Sequence, residues 1–329
     1  MASAPVSDAV EPLSALRFAE QFEAMASNIE RVIKGKTRAV RLVLTAILAN
    51  GHVLLEDLPG SGKTVLARAI AQTIDARSSR VQCTPDLLPS DITGSSVVDL
   101  TTRQFKFRRG PIFTNILLSD EINRATPKTQ SALLEAMQER RVSVDGVTHQ
   151  LPRPFLLLAT QNPIELAGTF PLPEAQLDRF LFKISLGYPG VEAEISVLNA
   201  NAQGEAIDTL SAVCTVDQVL ALQEWTRGVG MTREVKQYVI DLCQATRTDP
   251  SLQLPAGPRA SLALMHASRV VAASQGREDV LPDDVRTILA PVLAHRLTLT
   301  PDAELREETV DMIVGRITEK IRPHMMLGD

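Results

Sequence analysis

The segment Asp57-Leu58-Pro59-Gly60-Ser61-Gly62-Lys63-Thr64 carries the residue types that hold phosphate. A phosphate-binding loop has a glycine, four free positions, then Gly-Lys-Ser/Thr. Gly62-Lys63-Thr64 fits this pattern, and Asp57 stands where the first glycine is expected. Lys63 is expected to reach the β- and γ-phosphates, and the Thr64 hydroxyl to bind Mg²⁺. The alternative is a glycine-rich turn that binds nothing, but such a turn requires neither Lys nor Thr. A second group is Ser119-Asp120-Glu121, which closes an apolar run. At the end of a strand, Asp120 is placed to hold Mg²⁺ and Glu121 to take a proton from an attacking water. The alternative for this pair is a helix N-cap, since acids suit a first helical turn.

Three further residues complete the chemical inventory. Asn162, in Gln161-Asn162-Pro163, follows another apolar run; its amide can orient a water or touch a γ-phosphate, or it can serve a turn. Arg179, in Leu177-Asp178-Arg179-Phe180, suits an arginine finger given to a neighbouring subunit, or a salt bridge to Asp178 or another surface acid. Arg259 sits in the first turn of an expected helix, where a cation is unfavourable. That cost points to a use, and Arg259 is expected to fold from a lid onto the nucleotide. A plain surface arginine is the other reading.

The elements that must position these residues are legible as alternating strands and helices. His52-Val53-Leu54-Leu55-Glu56 is of strand length before the loop, and Val65 to Ala71 is a helix former after it. Strand, glycine loop and helix together aim backbone N–H groups and a helix N-terminus at phosphate. Strands are also expected at Arg80–Cys83, Asn115–Ser119, Phe155–Thr160 and Phe180–Ile184. Short, fully apolar strands between helices imply a parallel sheet covered on both faces. Two segments break the rhythm as β-hairpins, Val97–Phe107 and Val142–Leu151, the second turning on Asp145-Gly146. Before the loop, Phe18, Phe22, Met25, Ile29 and Val32 mark one helix, and Thr37–Ala49 another. After Tyr188-Pro189-Gly190 only helices are expected, including a capping box at Thr215–Gln218 and helix starts at Thr232, Pro258 and Leu281-Pro282. The expected organisation is a flexible tail over 1–14, an αβα core over 15–190 and a small helical domain over 191–329.

The bulk properties narrow the class. A chain of 329 residues suggests two domains. A net charge of −5 argues against general nucleic-acid binding, and one Trp with two Tyr argues against a base-stacking platform. Cys83, Cys214 and Cys243 have no metal or redox spacing, and the five histidines form no cluster, so reduced core thiols in a cytoplasmic protein are expected. The N-terminal residues lack the basic start and apolar core of a signal peptide, and no run approaches the ~18 residues of a membrane span.

Taken together, these motifs resemble the AAA+ ATPases, and among them the MoxR type. The resemblance runs from about Gly51 to Pro189. It rests on Pro59-Gly60-Ser61-Gly62-Lys63-Thr64, Asp86 to Gly94 and Gly110-Pro111-Ile112-Phe113. Its most specific part is Asp120-Glu121-Ile122-Asn123-Arg124-Ala125-Thr126-Pro127 continuing to Met137. Ala159 to Pro163 and Leu172 to Phe180 complete it, and the second domain matches mainly around Arg259.

The resemblance implies an AAA+ P-loop domain with a parallel five-stranded sheet and inserted β-hairpins, then a small all-helical lid. It implies ATP and Mg²⁺ as cofactors, with Pro59, Gly60, Ser61, Gly62, Lys63, Thr64 and Val65 on the nucleotide. Thr64 and Asp120 would hold the metal, Glu121 would be the base, Asn162 sensor 1, Arg179 the finger in trans and Arg259 sensor 2. It also implies a bacterial hexameric ring with ATP between subunits, acting chaperone-like on protein complexes, often with a von Willebrand factor A domain partner. Two other functions fit the motifs. One is an AAA+ motor on nucleic acid, for which Phe105-Lys106-Phe107-Arg108-Arg109 is a basic, aromatic candidate pore segment, unless its two Phe rings pack inward. The other is a non-hydrolysing nucleotide-switch scaffold, against which both Glu121 and Arg179 speak.

Overall fold

The computed structural model describes residues 13–57, 60–162, 168–188, 190–202 and 209–323. Most of the expected tail, Pro59, Pro163 and Pro189 lie outside the described residues. Two helices come first, α1 (Ala15–Glu30) and α2 (Thr37–Leu48). Phe18, Phe22, Met25 and Ile29 are buried along one side of α1, as their spacing of four and three requires. The αβα layer follows in order: β1 (Val53–Glu56), α3 (Lys63–Thr73), β2 (Ser78–Gln82) and the short α4 (Pro89–Thr93). A hairpin of β3 (Gly94–Asp99) and β4 (Gln104–Arg109) leads to β5 (Ile116–Asp120) and α5 (Pro127–Glu139). A second hairpin of β6 (Arg141–Val144) and β7 (Val147–Gln150) precedes β8 (Leu156–Gln161), α6 (Glu174–Leu177) and β9 (Phe182–Ile184).

Five strands form one parallel sheet in the order β2-β5-β8-β1-β9. Alternate side chains leave opposite faces of a strand. Leu55, Leu118 and Leu158 enter the core shared with α1, α2 and α3, whereas Leu54, Leu117 and Leu157 pack with Leu133, Leu134 and Met137 of α5. Burial on both faces is why these strands read as continuous apolar runs. Both hairpins stand outside the sheet and meet through a stacked pair, Phe107 on His149, with ring centroids 4.1 Å apart. Phe107 therefore packs inward, but Phe105 is 79% exposed.

The second half contains α7 (Val191–Ala202), α8 (Val216–Arg227), α9 (Arg233–Arg247), β10 (Leu252–Leu254) and α10 (Pro258–Ser274). It ends with α11 (Pro282–Leu293), β11 (Thr298–Leu299), α12 (Pro301–Leu305) and α13 (Val310–Lys320). The capping box forms, with Gln218 N–H donating to Thr215 Oγ1 at 3.2 Å and Thr215 N–H to Gln218 Oε1 at 2.8 Å. Among the described residues this half is helical apart from an isolated bridge, Gly230 with Asp279, and a small antiparallel pair, β10 and β11, which joins Leu252 with Leu299. Strands of three and two residues, far apart in the chain, leave no local hairpin pattern to read. Tyr238, Leu242, Leu264 and Ile288 join the same apolar cluster as Phe18, Leu44 and Ile70, so the helical half is seated on α1, α2 and α3.

Candidate functional site

In a parallel α/β sheet the strand C-termini form the ligand-binding edge. Here that edge brings together Asp57 after β1, Asp120 and Glu121 at the end of β5, and Asn162 after β8. They line a cavity of about 360 Å³ together with the loop residues Gly60 to Val65. Gly60 and Gly62 take φ of +82° and +91°, which side chains other than glycine rarely adopt, and open space lies where a Cβ would project. Gly62 caps α3, so the helix N-terminus points its unpaired N–H groups toward this cavity. Lys63 Nζ donates to the Asp57 carbonyl at 3.0 Å. The Ser61 hydroxyl oxygen is buried and has no hydrogen-bond partner. A buried polar atom left without a partner fits a site built for a polar ligand.

The acid pair is held by a small network. Asp120 Oδ1 accepts from Thr160 Oγ1 at 2.7 Å, and Oδ2 accepts from Arg80 at 2.7 Å. Glu121 adopts a left-handed backbone (φ 55°, ψ 51°), a strain on the order of 1–3 kcal/mol for a non-glycine residue. Its N–H donates to Thr160 Oγ1 at 2.8 Å, and its carboxylate receives Gln82 Nε2 at 2.8 Å and Arg124 Nε at 3.2 Å. Arg80 and Gln82 are site residues that sequence reasoning missed. Their signal was present: polar residues two apart on β2 share one face, and Gln82 pairs in register with Asp120.

Arg179 and Arg259 are not at this edge. Leu181 N–H donates to the His52 carbonyl at 2.8 Å, which aligns the start of β9 with the start of β1. Arg179 precedes that start, so it lies at the opposite edge from the loop. The four residues of β1 alone separate the two edges by about 13 Å. Arg259 Nη1 is 3.7 Å from Asp178 Oδ2, beside Arg179, and so does not fold onto the loop as expected. The physical reason is the seating of the helical half: α10 packs against α1 and α11, which brings its first turn to residues 178–181. These residues line a separate cavity of about 270 Å³ with Arg140 and Arg296. Burial lowers the Arg140 pKa to about 10, with a further contribution from Arg153. The Nε of Arg179 is buried without a hydrogen-bond partner.

The family model for the ATPase family associated with various cellular activities (AAA) matches residues 52–182, and the AAA lid domain model matches 244–317. Chaperone MoxR1 of Mycobacterium tuberculosis is 40% identical over 89% of this chain and 80% of its own. The chain belongs to the MoxR-type AAA+ ATPases. The MoxR protein of Paracoccus denitrificans is 33% identical, covering 88% of this chain and 92% of the relative. The YeaC protein of Bacillus subtilis is 48% identical over 90% of this chain and 92% of its own. A solved structure of a candidate ATPase from Cytophaga hutchinsonii superposes with a TM-score of 0.89 at 33% identity, covering 94% of this chain and 97% of that one.

Asp57, the odd residue of the loop, has a definite place in this MoxR-type chain. Its buried carboxylate accepts from Ser185 Oγ at 2.7 Å and from the N–H groups of Leu186 at 2.6 Å and Gly187 at 2.9 Å. It ties the loop entrance to the segment that leaves β9. Ser185 and Leu186 also border a further cavity of about 560 Å³, with Ala39, Leu42, Ile184 and Pro291 among its walls. Sequence reasoning did not find this cavity, because its walls come from distant stretches of chain.

Proposed function

We propose that this chain binds ATP with Mg²⁺ at the C-terminal edge of its sheet and hydrolyses it with arginines supplied by a neighbouring copy. The observation that carries this reading is the separation of the two half-sites. The loop cavity holds the phosphate-binding and acid residues, and the arginine in its wall, Arg80, is bonded to Asp120. Arg179 and Arg259 face a cavity at the other edge. One chain cannot bring both to one phosphate, whereas neighbours in a ring can.

The residues fit the nucleotide. The open glycine loop, Lys63 and the unpartnered Ser61 hydroxyl would hold the phosphates, and the 560 Å³ cavity would take the adenosine end. Thr64 and Asp120 would hold Mg²⁺, which neutralises charge on the phosphates when bound. Arg80 is half exposed, so its guanidinium can turn to water when Mg²⁺ takes its place at Asp120. Glu121 would accept the proton of the attacking water, and Asn162 would orient that water. Until then Gln82 and Arg124 hold the Glu121 carboxylate. The nucleotide core is assigned to 15–190 and the lid to 191–329, and the assembly to a hexameric ring. The chaperone name of the Mycobacterium tuberculosis relative supports a remodelling role on protein complexes, with a von Willebrand factor A domain protein as the first partner to try. No helix among the described residues is long and apolar enough to cross a membrane, and all three cysteines are free and buried, in keeping with work in the cytoplasm.

The test is Glu121→Gln. This variant should retain ATP binding and lose turnover by about 10²–10⁴-fold, measured by titration calorimetry and phosphate release. Unchanged turnover would overturn the assignment.

A further inference from the structure

Arg296 follows α11 in the helical half and is 6% exposed. An arginine has five N–H donors in a fixed planar fork. All five are used here. Nε donates to Asp178 Oδ1 at 2.8 Å, and Nη2 to the carbonyls of Asp178 at 3.2 Å and Phe180 at 2.6 Å. Nη1 donates to the carbonyls of Leu181 at 3.2 Å and Val292. Four of the five acceptors thus lie on residues 178–181, on both sides of Arg179. The neighbouring His295 adds Nε2, 3.0 Å from the Phe180 carbonyl. Burial holds the His295 ring neutral, so this nitrogen is the one that carries the proton and donates.

A guanidinium buried this deeply is poor economy if stability alone is at stake, because apolar residues of the same volume often serve as well. What the fork does supply is geometry. It fixes the backbone before and after Arg179, and through Asp178 it also sets the partner of Arg259. We propose that Arg296 is a positioning residue for the arginine finger, by which the helical half sets the place of the Arg179 guanidinium that one subunit offers to the next. The proposal rests on the reading that Arg179 acts in trans. Through Arg296, movement of α11 relative to the sheet then reaches the neighbour's site as well, while Arg296 itself lines neither the loop cavity nor the 560 Å³ cavity.

The test uses the full chain, with Arg296→Met and Arg296→Lys. A lysine has one cationic nitrogen and cannot span four acceptors, so it is expected to fail as a substitute while keeping the charge. Each variant should bind a fluorescent ATP analogue with wild-type affinity at equilibrium. Alone, each should lose turnover, by less than the roughly 10³–10⁵-fold expected for removal of a finger. Each is then mixed with Glu121→Gln, whose own site is inactive but whose finger is intact. If Arg296 positions the donated finger, the mixture regains turnover, because intact fingers reach the loop cavities of the Arg296 variants. An Arg179→Ala mixture with Glu121→Gln runs alongside as reference. Recovery with Arg179→Ala but not with the Arg296 variants would overturn the proposal and leave the trans finger standing. Failure of the Arg179→Ala mixture would overturn the trans reading itself, and the proposal with it. Full turnover of both Arg296 variants alone, or weakened analogue binding, would also overturn it. If Arg296→Met fails to fold, Arg296→Lys carries the same arms.

Discussion

The two edges of the central sheet hold opposite chemistry. The C-terminal edge has glycine turns, a helix N-terminus, Lys63 and the acid pair Asp120 and Glu121. The N-terminal edge gathers Arg140, Arg179, Arg259 and Arg296 around one cavity, with Arg259 and Arg296 paired to Asp178. Arg179 follows Asn162 closely in sequence, yet strand direction sends the two to opposite ends. The difference teaches that in a parallel sheet the side of a strand on which a residue falls decides which edge it reaches. Residues after a strand line the loop cavity, and residues before a strand lie at the far edge, which the proposed reading gives to a neighbour.

The largest test of this contrast removes the finger. Arg179→Ala should leave ATP affinity unchanged and lower turnover by about 10³–10⁵-fold if, as proposed, the arginine meets phosphate charge across an interface. Wild-type turnover should also fall on dilution to monomers. Monomers that hydrolyse ATP at the full rate would break the division between edges, since the C-terminal edge would then be catalytically complete without the arginines of the other.

A smaller effect is expected at the C-terminal edge from Asp57→Gly, which restores the usual loop residue. The change removes the acceptor for Ser185 Oγ and for two N–H groups, at Leu186 and Gly187. A carboxylate with several donors is a strong acceptor, and a donor left unpaired costs about 1–3 kcal/mol. Glycine also adds backbone freedom to the unfolded chain. Stability in urea should fall by about 2–4 kcal/mol, with Asp57→Asn in between because it keeps one acceptor oxygen. A glycine variant as stable as the parent would show that Asp57 does not hold the segment after β9.

Much of this was legible in the sequence, and the exceptions share a cause. The sheet strands, both hairpins and the acid pair could be read because each is written locally, in apolar runs, in Asp145-Gly146 and in the spacing after the loop. Asp57 looked like a flaw because its partners lie at 185–187, far along the chain. Arg259 was expected on the chain's own nucleotide because a helix start is visible in sequence, but the packing of α10 against α1 and α11 is not. Arg80 and Gln82 were passed over although a strand was expected there, because their bonds to Asp120 and Glu121 join stretches of chain far apart in sequence. The β10–β11 ribbon was missed for the same reason as Asp57: the contact is long-range and the segments are short.

Acid should sharpen the contrast, because the N-terminal edge rests on two buried, neutral imidazoles. His52 precedes β1, and its Nδ1 accepts from Leu157 N–H at 3.0 Å, a bond that a proton on that nitrogen would destroy. Burial, and then Arg140, lowers the His52 pKa to about 3, and His295 is lowered well below its usual value chiefly by burial. In the unfolded chain both rings protonate near pH ~6.5. Below that pH the unfolded state binds more protons, so stability present above pH ~6.5 is lost as the pH falls toward the folded-state value of about 3. His52 alone should withdraw about 2 kcal/mol between neutrality and about pH 5. Urea melts at about pH 7.5 and about pH 5 measure this, and His52→Asn should show a smaller difference between the two, whatever its absolute stability. An undiminished difference in that variant would mean that the acid sensitivity does not arise at His52.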